Sequence, residues 1–163
     1  MKLIEIARSF VGQKELPGNK FEDTELGKLL HEAGQRDGEA WCAYFGEAMC
    51  AKAYPEKSKD IQKYFSASAV QTFRNFVAAN FSVTAVPLPG SLVIWQKYEA
   101  GKALWQGHLG IVTEVVPGSF KSVEGNSNAA GSRDSDSVVE NTRIEKFNPN
   151  GLSVMGFINL GYE

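Results

Sequence analysis

Cysteine is scarce in this chain, with Cys42 and Cys50 the only two in 163 residues. Two thiols cannot build the dense cross-links that hold small secreted scaffolds together. If Trp41 to Tyr54 is helical, the two lie about 12 Å apart along the axis, whereas a disulfide needs Cα atoms within roughly 7 Å. Both are expected as thiols. Histidine is equally rare, at His31 and His108. A structural zinc site asks for about four ligands, commonly in close pairs, so no metal and no other cofactor is expected.

Long apolar runs are missing too. No stretch approaches the ~18 residues of a membrane span, which argues against a membrane partner. Glu5 and Arg8 interrupt what would have to be the apolar stretch of a signal peptide. The chain is expected to be made in the cytoplasm without a cleavable address. An excess of one charge is also lacking: 17 basic against 19 acidic residues give a net charge of −2. With the basic residues scattered, there is no electrostatic case for nucleic acid or anionic lipid. Repeats, low-complexity segments and interdomain linkers are absent, so residues 1–163 read as a single domain, expected to be a monomer. A hydrophobic content of 43% and a charged content of 22% are those of a globular chain.

What is present divides into two halves. The first reads helical. Leu3, Ile4, Ala7, Phe10 and Val11 form one stripe over Lys2 to Val11. "KELPGNK" breaks it, and a short helix over Thr24 to Ala33 follows, ended by Gly34. A third helix starts near Glu39 or Trp41 and stops before Pro55; a fourth, capped by Ser66 or Ser68, reaches about Ala79. From "VPLPG" onward the pattern changes to strands and turns. "SLVIWQ", "HLGIVTEVV", "FKSVEGNS", "SVVENTRI" and "SVMGFINL" are candidate strands, with "NAAGSRDSD" a polar loop. Helices followed by an antiparallel sheet predict an α+β fold.

Cys42 sits in the first turn of the third predicted helix. There, unpaired N–H groups and the positive end of the helix dipole favour a thiolate and can hold an oxyanion. Cys50, in mid-helix, has no such advantage. A thiol nucleophile needs a base, usually histidine. His31 reads as a surface residue, while His108 opens a strand between Gly107 and Gly110, where another group can come close. Glu124 and Asn126, two apart on the next strand, project from one face and can hold the imidazole. This holds if the intervening turn has an odd number of residues, such as Pro117 to Ser119. Val112 then faces Glu124 and Gly110 faces Asn126, and an even turn would spoil the arrangement. A nucleophile on a helix and its base on a sheet is the papain-like arrangement.

"WCAYF", "PGSLVIW", "GHLGIV" and "VEGNSN", in that order and spacing, resemble the CHAP family, the cysteine, histidine-dependent amidohydrolases and peptidases. The resemblance implies Cys42 as nucleophile, His108 as base, and Glu124 and Asn126 as its assistants. It implies cleavage of amide bonds in peptidoglycan, by an amidase between sugar and stem peptide or an endopeptidase within the peptides. Ser91 stands where the family often has Asp. Some members bind calcium through acids before the Cys; here Asp37 and Glu39 are too few for the roughly six to eight oxygen ligands required. Trp41, Trp95 and Trp105 are candidates for lining a glycopeptide groove, although Trp41 also reads as core and Trp105 is the better substrate residue. Other readings keep the same residues: a thiol protease or deamidase acting on protein, or an inactive relative that binds wall fragments. A phage lysin released through membrane lesions fits the chain, as does an effector delivered by a secretion apparatus and opposed by an immunity protein. Either would act on the cell wall.

Overall fold

A computed structural model describes residues 2–128, 131 and 135–162. Five helices come first: α1 (Lys2–Ser9), α2 (Glu25–Glu32), α3 (Cys42–Ala53), α4 (Ser58–Gln62) and α5 (Ala69–Ala78). Six strands follow: β1 (Ser82–Thr84), β2 (Leu92–Glu99), β3 (Lys102–Val116), β4 (Ser119–Ser127), β5 (Ser137–Arg143) and β6 (Leu152–Asn159). They form one antiparallel sheet in the order β1-β6-β2-β3-β4-β5. The expected α+β class holds. Of the polar loop expected at "NAAGSRDSD", residues 129–130 and 132–134 lie outside the described residues.

The caps follow local chemistry. Thr24 accepts from the Gly27 N–H and Ser68 from the Gln71 N–H, so each satisfies one orphan donor of the first turn of α2 or α5. Three pieces of the fold carried no sequence signal. Helix α4 and strand β1 are too short for a period to register. The first part of β3 is polar and reads as a loop. It is recruited by a tight turn at Ala100 and Gly101, both at positive φ, which pairs Glu99 with Lys102.

The sheet has two unlike interiors. On one side Leu92, Ile94, Leu109, Ile111, Val123 and Ile158 pack with Leu3, Leu30, Phe45 and Met49 of the helices. Gly46 of α3 makes room for the Leu109 side chain, so α3 lies tightly on β3. On the other side Val93, Trp95, Val112, Phe120 and Phe157 form a smaller cluster. Phe120 on β4 and Phe157 on β6 are three strand spacings apart, about 14 Å in a flat sheet. Their ring centroids are 5.2 Å apart, so the sheet curls and this side is concave. Among the described residues, no helix is long and apolar enough to cross a membrane.

Candidate active site

Cys42 is the first residue of α3. Trp41, the N-cap, accepts no hydrogen bond from the first turn through its side chain, and that turn carries no acid. The positive end of the helix is therefore left to the sulfur and to whatever anion forms beside it. Both cysteines are buried thiols. Cys50 lies among the helix-side core residues, where burial first and the charge of Glu47 second push its thiol well above the ordinary range. Among the described residues no histidine acts on it.

His108 stands directly across from Trp95 in the β2–β3 register, with ring centroids 5.6 Å apart. Its imidazole is wholly buried. Nε2 lies 3.0 Å from Oε2 of Glu124, and Cys42 is close enough to act on the ring. With Nε2 committed to the carboxylate, Nδ1 is the buried ring nitrogen that makes no hydrogen bond of ordinary geometry among the described residues. Burial opposes a charged ring, but Cys42 and Glu124 together outweigh it and push the imidazole up to about 9. The imidazole is thus favoured in its charged form.

The contact between β3 and β4 is made differently from the sequence expectation. Val116 pairs with Ser119, so the turn is the two-residue Pro117–Gly118 and its count is even. That turn alone would send His108 and Glu124 to opposite faces. A bulge corrects it: Glu114 pairs with Lys121 while Val112 pairs with Ser122, which leaves Thr113 as an extra residue. Val112 accordingly faces Ser122 rather than Glu124, and Glu124 falls beside Gly110. A Cβ at Gly110 would sit 2.9 Å from Glu124 Cγ and 3.3 Å from the Trp95 ring. Glycine there is what lets the carboxylate reach the imidazole.

Glu124 is fully buried and heavily engaged. Ser122 donates to Oε1 at 2.7 Å and Ser127 to Oε2 at 3.4 Å. Arg143 of β5 donates from Nε to Oε1 at 2.8 Å and from Nη2 to Oε2. Burial alone would raise this carboxyl, yet Arg143 and His108 together hold it down to about 2. An ionised carboxylate accepts, so Nε2 of His108 carries the proton between them. Arg143 escaped sequence reasoning. Its signal was a basic residue placed where β5 should point inward, which matters only once a buried acid needs a counter-ion.

The other expected residues separate. Asn126 is buried, at φ 56°, and its carbonyl accepts from the Ser135 N–H at 3.1 Å; the Nε2 position belongs to Glu124. Trp41 is core: its indole donates to Glu15 and it meets Phe21 and Phe45 edge-on. Trp95 is 2% exposed and packs between His108, Phe120 and the Arg143 guanidinium. Trp41 is wholly covered and lines no open groove, whereas Trp95, though almost wholly buried, edges a cavity of about 540 Å³ together with Lys97 and Arg143. Trp105 is 75% exposed. It borders a cavity of about 540 Å³ that Ser68, Gln71, Arg74 and Gln96 also line. His31 is exposed and 3.7 Å from Asp37. Among the described residues no group of three acids, histidines or cysteines is placed to hold a metal. Glu39 is engaged by the Arg36 N–H and the Tyr44 hydroxyl.

Residues 34–126 match the sequence profile of the CHAP domain, over more than half of the chain and across Cys42, His108, Glu124 and Asn126. No curated protein and no solved structure gave a match.

Proposed function

The chain belongs to the CHAP domain family, whose members are generally hydrolytic amidases and peptidases, and from that premise we propose that it cleaves amide bonds of bacterial peptidoglycan through Cys42, His108 and Glu124. One observation supports this above all. The thiol at the start of α3, which no side chain caps, acts on an imidazole whose Nε2 rests on a buried carboxylate.

In this reading the Cys42 thiolate attacks the carbonyl carbon of a stem-peptide amide. The carbonyl electron pair moves to oxygen, and that oxyanion is held by N–H groups at the start of α3, including that of Cys42. His108 gives the proton on Nδ1 to the leaving amine as the C–N bond breaks, which leaves a thioester on Cys42. The neutral ring then takes a proton from water, the hydroxide attacks the thioester, and the carboxylate product leaves as the thiolate and imidazolium reform. Glu124 stays ionised throughout and keeps the imidazole in one tautomer. Trp105 and the cavity beside it, about 10 Å along β3 from His108, take the glycopeptide on its way to the sulfur. The protein works on the cell wall after release or secretion.

Turbidity loss of purified sacculi, with mass spectrometry of the released muropeptides, tests the proposal. Expected are new free amines from one bond type, which assigns amidase or endopeptidase, and none with Cys42→Ala. Intact sacculi beside rapid cleavage of casein would overturn the substrate.

A further inference from the structure

Four side chains from four strands, the imidazole of His108 among them, close a ring. His108 touches Glu124 and Trp95, and Arg143 touches the same two from the other side. The guanidinium carbon lies 5.0 Å from the Trp95 ring centroid, and both carboxylate oxygens accept from Arg143. Arg143 also donates from Nη1 to the Gly131 carbonyl at 3.1 Å. Its side chain is only 15% exposed and that of Glu124 not at all, so the two charges compensate each other in a site shielded from water.

Building on the proposed role of Cys42, we infer that Arg143 is the positioning residue of this site. It acts through Glu124 and Trp95, and by cancelling the carboxylate's charge it makes the Cys42 thiolate the counter-ion of the protonated His108. The argument is one of charge balance. With Arg143 present, Glu124 and Arg143 sum to zero, and thiolate plus imidazolium sum to zero beside them. Without Arg143, the neutral cluster is carboxylate, imidazolium and a protonated thiol. A thiolate there would leave a net negative charge in a buried site, which is costly. Losing the guanidinium therefore protonates the nucleophile while binding the imidazole's proton more firmly.

Among the described residues few other charges intervene. The groups acting on the imidazole are Cys42 from α3 and Glu124 from β4; those acting on the carboxylate are His108 from β3 and Arg143 from β5. From β2, Lys97 lines the cavity outside Arg143, as does Lys146 from the β5–β6 connection. Glu15, near Trp41, is engaged by the indole N–H.

The test uses the full chain with Cys50→Ala, so that Cys42 is the one reactive thiol, and follows iodoacetamide alkylation against pH. With Arg143 intact, alkylation stays fast into mildly acidic solution. Arg143→Met is expected to move the acid limb upward by about one unit, slowing alkylation near pH 6 about tenfold. Both limbs of kcat/KM on muropeptides move the same way. Arg143→Lys keeps the limbs in place, because the charge remains. Arg143→Met combined with Glu124→Gln removes both charges and is expected to restore fast alkylation at mildly acidic pH. A merely structural arginine would lower amplitudes without moving a limb and would not be rescued by a second substitution; either result overturns the inference. Should Arg143→Met not fold, the double variant and Arg143→Lys carry the same test. Slow, ordinary-thiol alkylation with Arg143 intact would instead overturn Cys42 as an activated nucleophile, a separate failure.

Discussion

Successive residues of β3 enter different interiors. Leu109 and Ile111 join the core shared with the helices, whereas His108 lies on the concave side with Trp95, Glu124 and Arg143. The helix side is apolar, so any set of side chains of about the right volume fills it at modest cost. The concave side holds a carboxylate, a guanidinium and an imidazole out of water, and each is tolerable only because the others are at hydrogen-bond distance. One interior is specified by volume and the other by pairing. A shift of one residue would exchange them, and the Thr113 bulge prevents that shift.

The sharpest way to separate the two interiors is their cysteines. Cys42→Ala should abolish turnover, by at least about a thousandfold in kcat, with the thermal midpoint nearly unchanged. Cys50→Ala should do the opposite: nearly full activity, and stability lower by about 1 kcal/mol, read by urea unfolding. Equal loss of activity in both would erase the distinction. Next, Leu109→Ala opens a void between β3 and α3 and should cost about 2–5 kcal/mol, while activity per folded molecule stays within a few-fold. A large fall in kcat at full folding would show that the two sides are not independent.

A smaller effect comes from pH. The folded-state value of His108 is raised to about 9, so its contribution to stability is complete below about 6.5 and is lost as pH rises through 9. Glu124 is held down to about 2, so its contribution is present above about 4.5 and is lost only as pH falls toward 2. Activity should fall as pH rises past 9, when the imidazolium that protonates the leaving amine disappears. Helix α3 adds a case opposite in sign to Glu124 and alike to His108: burial raises Glu47 to about 7, so stability declines as pH rises through 7. Denaturant midpoints measured across pH should show this decline, and Glu47→Gln should remove it. The smallest change is expected at the exposed rim. Trp105→Ala should raise KM for muropeptides a few-fold, with kcat and stability nearly unchanged; an unchanged KM would remove Trp105 from the substrate path.

Much of this was legible in the residues. The stripes of α1, α2 and α5 follow from apolar spacing, and Cys42 at a helix start, followed by His108 and Glu124 on neighbouring strands, follows from order along the chain. Trp95 was not legible as an interior residue, because a tryptophan beside a predicted site reads equally as groove or core. Arg143 was hidden because an arginine in a strand acquires meaning only from the acid it meets, 19 positions earlier in the chain. The choice between Glu124 and Asn126 was open, since both project from one face until the register is fixed.

By itself the sequence determined the class of fold, the two halves of the chain and the placing of a thiol at a helix start ahead of a histidine on a strand, because these depend on local spacing and on what a side chain can do. The curl of the sheet, the bulge that turns Glu124 toward His108 and the arginine that neutralises it were decided only by tertiary structure. Those features depend on how strands far apart in the chain are offset and bent against one another, and that offset is set by packing all the strands at once.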